Sequence, residues 1–198
     1  MVRSSYVVKL AVLGSTRGTD MQALIDAITN GELNASVNVV ISNKEDAYIL
    51  ERARNHNIPA LYIPAEKGET REQYDQKLIR ELSDHQIDLI LLIGWMRILS
   101  PHFVRAYPRR IMNVHPSLLP KFAGGMDADV HEAVLKAGEK ETGCTVHLVD
   151  EGVDTGEIII QKKCSVEPDD TPEMLKEKVQ KLEGSALIEA IKKWDTDY

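Results

Sequence analysis

The sequence predicts an α/β fold: a mostly parallel sheet flanked by helices, with an antiparallel pair of C-terminal strands and a long final helix. Three observations predict it. Along the N-terminal half, short β-branched runs alternate with stretches of helical spacing, the signature of repeated βα units. The run Leu89–Ile93 (LILLI) is apolar without a break, as a strand covered on both faces requires. The chain then ends in a helical stretch from Pro172 to Trp194, which Thr171 can cap.

Each element has a local cause. Tyr6–Leu13 (YVVKLAVL) is rich in β-branched residues and reads as the first strand. Gly14–Gly18 (GSTRG) makes a turn. Thr19 is then placed to cap a helix, with Gln22 as its capping-box partner. Met21, Leu24, Ile25 and Ile28 share one face of that helix, which ends near Gly31. Val37–Ile41 is a second strand, followed by a helix over Ala47–His56 and a short strand over Ala60–Ile63. Thr70–His85 is amphipathic, with Tyr74, Leu78 and Leu82 at helical spacing. The resulting β-α-β-α-β-α-β order calls for parallel strands joined by right-handed crossovers, a Rossmann-like arrangement.

Beyond Leu89–Ile93, Ser100 suits an N-cap and Pro101 the first position of a short helix. Ile111–His115 is a fifth strand. Pro116–Asp129 reads as a loop rich in Pro and Gly, and His131–Ala137 as a helix. Thr145–Val149 and Ile158–Lys163 read as a β-pair joined by the loop Asp150–Gly156.

The chain has 198 residues, enough for one domain or two joined halves sharing a core. Its net charge of −7 argues against a nucleic-acid partner, which would need a basic footprint. It leaves an anionic small-molecule substrate open, since a pocket can be positive on an acidic protein. Met1–Tyr6 is too short and polar for a signal peptide, and no run is long and apolar enough to span a membrane. The expected location is the cytoplasm, as a monomer or homodimer. Cys144 and Cys164 lie in apolar, strand-like runs and read as buried reduced thiols.

Three segments carry chemistry. The first is the strand–turn–helix at Leu10–Gln22, whose helix N-terminus presents backbone N–H groups to an anion. With only Gly14 and Gly18 it matches neither a phosphate-binding Walker loop nor a full dinucleotide fingerprint. Asp20 would repel a phosphate directly or support the helix N-terminus. The second is Ile111–Lys121. Asn113 and His115 stand two apart on a strand, so both project to one face near the strand's end. An amide donor beside an imidazole can bind a developing oxyanion and move a proton. Pro116 and Pro120 stiffen the exit. The third is Val149–Gly156, with two glycines and three acids. It is either a solvated acidic turn or a loop that sets Asp154 against His115, holding the imidazole and raising its pKa. Spacing leaves Asp150, Glu151 and Asp154 all open for that part.

The run Asn113–Lys121 (NVHPSLLPK), followed by Gly143–Val149 (GCTVHLV) and Asp154–Gly156 (DTG), closely resembles the folate-dependent formyltransferases. The resemblance extends to Ser42–Lys44 (SNK), Glu51–Arg54 (ERAR) and Gly94–Pro101 (GWMRILSP). It covers nearly the whole chain and is nearest the branch that acts on a glycinamide ribonucleotide. It implies the formyltransferase fold and transfer of a formyl group from 10-formyltetrahydrofolate, as cosubstrate, to the amine of phosphoribosylglycinamide. It implies Asn113, His115 and Asp154 as the catalytic trio. Arg97, Ile98 and Leu99 would line a pterin pocket largely through backbone groups, joined by Val149. Arg71 would meet the folate's glutamate carboxylate, a task that suits a bidentate guanidinium. Arg17, Gly18, Thr19 and Asp20 would form the phosphate loop, and Gln180 and Glu183 would hold the ribonucleotide. Residues 1–100 then form a nucleotide half and 101–198 a catalytic and folate half of one domain. No metal is implied, since formyl transfer between amines needs no Lewis acid.

Two departures stand out. The family commonly carries Gly-x-Gly-Ser-Asn where this chain has Thr16-Arg-Gly-Thr-Asp20, so an acid replaces an amide and Arg17 can offset its charge. The loop Phe122–Val130 is longer than in the best-known form and holds no histidine of its own, His131 coming directly after it. Within the same chemistry, a formyltetrahydrofolate hydrolase usually adds an N-terminal domain, and a methionyl-tRNA formyltransferase adds a C-terminal barrel and a basic surface. The chain's first strand, last helix and acidic charge favour neither. A dinucleotide-binding module would need a third glycine in the first turn and an acid after the second strand.

Overall fold

The computed structural model describes residues 6–125 and 127–197. Its elements follow the predicted order: β1 (Val8–Leu13), α1 (Thr19–Thr29), β2 (Ala35–Ser42), α2 (Tyr48–Asn55), β3 (Ala60–Tyr62), α3 (Arg71–Ser83), β4 (Leu89–Leu92), α4 (Pro101–Ala106), β5 (Ile111–His115), α5 (Asp127–Lys136), β6 (Glu141–Leu148), β7 (Ile158–Ser165) and α6 (Pro172–Asp197). They build a seven-stranded sheet in the order β3-β2-β1-β4-β5-β6-β7. The fold class is the expected one: β1 pairs in parallel with β2 and β4, β2 with β3, while β6 and β7 run antiparallel.

The chain divides into two compact units, with Met112 ending the first and Asn113 beginning the second. In the first unit, Leu10, Leu24, Ile41, Leu78, Leu89 and Phe103 are fully buried. Consecutive residues of β1 and β4, Leu10–Leu13 and Leu89–Leu92, are all buried, so both faces of these strands are covered, which is why LILLI carries no polar break. The helix α3 starts with a full capping box: Thr70 accepts from the Gln73 N–H, and the Gln73 side chain accepts from the Thr70 N–H. Ser100 caps α4 as expected, its Oγ accepting from the Phe103 N–H at 3.3 Å.

The start of α1 differs from the expectation. Thr19 is its first helical residue, not its cap; Gly18 takes that position with φ 66° and no side-chain cap bond. The turn must pass through the left-handed region there, which glycine enters without strain. A Cβ at Gly18 would also lie 2.4 Å from the Ile49 side chain. Gln22, freed from a capping role, donates to Asp26 and accepts from Arg52.

In the second unit, α5 begins at Asp127, earlier than His131, so the Pro- and Gly-rich loop is shorter than predicted. Met126, within that loop, lies outside the described residues. Val130 and Val134, one helical turn apart, are buried with Leu175 of α6. Packing of that pair stabilises a short helix that propensity alone would leave marginal. The strands β6 and β7 each run longer than expected, pairing from Glu141–Ser165 to His147–Ile158. Cys144 is buried as anticipated, but Cys164 is only half-buried, because β7 alternates exposed and partly covered positions. Among the described residues no helix is long and apolar enough to cross a membrane.

Candidate active site

Asn113 and His115 occupy the C-terminal half of β5, and the alternation of a strand sends both side chains to the same face. The loop between β6 and β7 brings Asp154 to them. His115 Nδ1 lies 3.3 Å from Asp154 Oδ2, and Asn113 Nδ2 lies 3.5 Å from Asp154 Oδ1. The imidazole is 4% exposed and the carboxylate 11%, so the pair interacts with little solvent screening.

The loop's construction selects the acid. Asp150 turns back on its own segment, with Oδ1 accepting from the Gly152 N–H at 3.0 Å and from the Thr155 hydroxyl at 2.7 Å. This Asx-type turn leaves Asp154 to face the strand, with its backbone at φ 55°. Aspartate is among the few residues that tolerate that region. Gly156 is required by proximity: a Cβ there would lie 1.7 Å from the Leu148 carbonyl oxygen. The Asp154 carboxylate also accepts from the Gly124 N–H at 2.8 Å.

His147 belongs to the same cluster and went unnoticed in the sequence as a functional group. It is 2% exposed, at the end of β6. Its Nδ1 donates to the Leu148 carbonyl at 2.9 Å. Nε2 faces Asn113 Nδ2 at 3.2 Å and accepts from it when the ring is neutral; when the ring is protonated it donates to the carboxylate instead. Nε2 is also 3.5 Å from Asp154 Oδ1. The signal available was its alternation with Thr145 along GCTVHLV.

Electrostatics correct one expectation. Burial pushes the His115 pKa down, and although Asp154 and the Phe122 carbonyl pull it up, burial wins and the net direction is downward. A charge partner alone suggested the opposite, since the spacing carried no measure of desolvation. For Asp154, burial pushes the carboxyl up. Hydrogen bonds from His147 and the Gly124 N–H, with the charges of His115 and His147, outweigh it and hold the group below the usual carboxylate range. The second ring nitrogen of His115 is engaged too: Nε2 donates to the Phe122 carbonyl at 3.0 Å.

The other predicted residues lie elsewhere on the two units. In the first, Arg17, Gly18, Thr19 and Asp20 form the β1–α1 turn, with Asp20 buried in the first helical turn. Arg17 and Arg52 both stand against the Tyr48 ring, at 5.7 and 5.0 Å, and Arg52 Nε donates to the Arg17 carbonyl at 2.7 Å. Arg71 is the exposed first residue of α3. Arg97 stacks over Tyr74 at 4.2 Å, Ile98 is 52% exposed, and Leu99 is buried. In the second unit, Val149 follows β6 half-buried, and Gln180 and Glu183 stand one turn apart on α6. Among the described residues no group of three or more His, Cys, Asp or Glu is arranged to hold a metal ion.

An amide, a buried imidazole and a half-buried carboxylate stand together where β5 ends, a constellation suited to handling an acyl group. The chain belongs to the formyl transferase family, whose sequence pattern matches residues 8–191. It is 39% identical over 188 residues to the phosphoribosylglycinamide formyltransferase of Escherichia coli, covering 95% of this chain and 87% of that one. It is 46% identical over 185 residues to the trifunctional purine biosynthetic protein adenosine-3 of Drosophila melanogaster. That match takes in 92% of this chain but spans only 14% of the relative's length. The fold superposes on glycinamide ribonucleotide transformylase 1 from Symbiobacterium toebii with a TM-score of 0.90, at 38% identity over 96% of this chain and 89% of that one.

Proposed function

We propose that this chain transfers the formyl group of 10-formyltetrahydrofolate to the amine of 5′-phosphoribosylglycinamide, a step of purine biosynthesis. The observation that carries the reading is the convergence of Asn113 and His115 on the Asp154 carboxylate, at 3.5 and 3.3 Å. The match to the E. coli enzyme over nearly its full length adds the acceptor.

In this reading the substrate amine attacks the formyl carbon, and negative charge develops on the formyl oxygen. Asn113 Nδ2 and His115 Nε2 donate hydrogen bonds to it; one such donor is worth about 2.7–4 kcal/mol of barrier. For His115 to serve, the formyl oxygen must take the place of the Phe122 carbonyl at Nε2. Asp154, held in its charged form, relays the proton from the attacking amine to the departing folate nitrogen through a water, a contribution of roughly 10²–10⁴ in rate. His147 fixes the Asn113 amide by accepting one of its N–H groups. In the first unit, Arg71 serves the folate glutamate and Arg97, Ile98 and Leu99 the pterin; in the second unit, Val149 serves the folate. Arg17, Gly18, Thr19 and Asp20 serve the phosphate, and Gln180 and Glu183 the ribose. The chemistry as proposed uses no metal, and the expected setting is the cytoplasm, as monomer or homodimer.

The test is an assay with glycinamide ribonucleotide and 10-formyltetrahydrofolate, following the formylated product. Formation of that product at rates far above the uncatalysed reaction supports the reading. Release of formate with no formylated amine would replace it with hydrolysis.

A further inference from the structure

The segment Gly94–Ser100, assigned above to the pterin, is tied down at three points, all within the first unit. At its start, Ser15 N–H donates to the Gly94 carbonyl at 3.0 Å, and the Met96 N–H donates to Ser15 Oγ at 3.1 Å. Ser15 Oγ in turn donates to Asn43 Oδ1 at 2.6 Å. In the middle, the Arg97 guanidinium lies on the Tyr74 ring, and the Tyr74 hydroxyl donates to the Ile63 carbonyl at 2.8 Å. At its end, the Ser100 N–H donates to Asp75 Oδ2 at 2.5 Å.

The third tie is unusual in its chemistry. Asp75 is 2% exposed and Ser100 fully buried. Burying a carboxylate is costly, and burial pushes the Asp75 pKa up, against the Ser100 hydroxyl and N–H and the charges of Arg97 and Arg71. The cap of α4 does not require it, since Ser100 Oγ already accepts from Phe103. What the carboxylate holds is the backbone of the last loop residue. Because Tyr74 and Asp75 are neighbours on α3, one turn of that helix supplies both the ring beneath Arg97 and the anchor for Ser100.

We propose that Asp75 is a positioning residue for the folate: its buried carboxylate fixes Ser100 and so sets where the backbone of Arg97, Ile98 and Leu99 stands. The inference rests on the folate assignment of that loop. It touches no reacting atom and acts through the loop alone.

The test is calorimetric titration of 5,8-dideazafolate, a folate analogue that cannot donate a formyl group, into wild type, Asp75→Asn and Ser100→Ala, with KM measured for each substrate. Asp75→Asn should weaken analogue binding and raise the folate KM about tenfold, as expected for losing a charge-assisted hydrogen bond. The ribonucleotide KM and kcat should stay near wild type. Ser100→Ala keeps the backbone N–H and loses only the hydroxyl, so it should move the folate KM the same way by less. Wild-type affinity in both variants would overturn the proposal, as would an equal rise in both KM values, which marks a general loss of structure. Should Asp75→Asn fail to fold by thermal melt, Asp75→Ser, which also removes the carboxylate from the Ser100 N–H, decides in its place, and wild-type folate binding there overturns the proposal. Failure of the wild-type chain itself to bind the analogue would fell the folate assignment, and the proposal with it.

Discussion

Replacing Asp154 by Asn isolates the charge of the candidate site from its shape. The two side chains have nearly the same volume, and asparagine tolerates the left-handed backbone at this position, φ 55°, as well as aspartate does. The carboxylate meets the Gly124 N–H at 2.8 Å and two imidazoles at 3.3 and 3.5 Å. An amide keeps one acceptor but loses the charge that relays the proton. The expected fall in kcat is about 10²–10⁴, or roughly 2.7–5.4 kcal/mol of barrier at 1.36 kcal/mol per tenfold. Both dissociation constants should hold, because the carboxylate acts on the transferring proton and not on ground-state binding. The variant should also lower the His115 pKa further, since Asp154 is the largest influence raising it. Single-turnover kinetics read the chemical step, and an NMR titration of the imidazole reads the shift. Wild-type turnover with both substrates bound would refute the relay.

Other outcomes follow from the same geometry. Asn113→Ala should lower kcat by about 10²–10³, the range for losing one oxyanion donor, seen in steady-state kinetics with little change in binding. The His115 pKa is lowered in the fold, so its contribution to stability is complete above the unfolded value near 6.5 and is lost as pH falls toward the folded value. Thermal melts from about pH 7.5 to about pH 5.5 should therefore drop more for wild type than for His115→Gln. Gly156→Ala should destabilise by about 1–3 kcal/mol or more in denaturant titration, since the added Cβ meets a backbone carbonyl and not a side chain that can turn aside.

What the sequence made legible was whatever rests on period and order. The β-branched and unbroken apolar runs set the strands, and the two-residue spacing of Asn113 and His115 put them on one face. What it hid were contacts that depend on a loop's path. Asp150, Glu151 and Asp154 were equivalent until the Asx turn at Asp150 turned that side chain inward on its own segment. The Phe122 carbonyl and Gly124 N–H are backbone groups, and no residue type announces them. His147 was visible as a letter in a motif but not as a partner of Asn113, because cross-strand neighbours require a register. The cap of α1 was misassigned because Thr-x-x-Gln satisfies the capping pattern, while the preceding glycine's left-handed turn decided the matter.

The least legible quantity, the protonation of His115, is also the one the proposed chemistry leans on. Both ring nitrogens face acceptors, Asp154 Oδ2 at 3.3 Å and the Phe122 carbonyl at 3.0 Å, which a doubly protonated ring would satisfy. Burial opposes that charge and prevails, so a neutral ring has one proton for two acceptors. The site is thus held close to a balance that additional negative charge would tip. An oxyanion in place of the Phe122 carbonyl replaces a dipole with a charge at hydrogen-bond distance, inside a region only 4% exposed at the imidazole. Such a charge favours the protonated ring most as the formyl oxygen becomes anionic, and hardly at all in the ground state. The proposed mechanism thereby gains a hydrogen bond that strengthens along the reaction, which is the only kind that accelerates it.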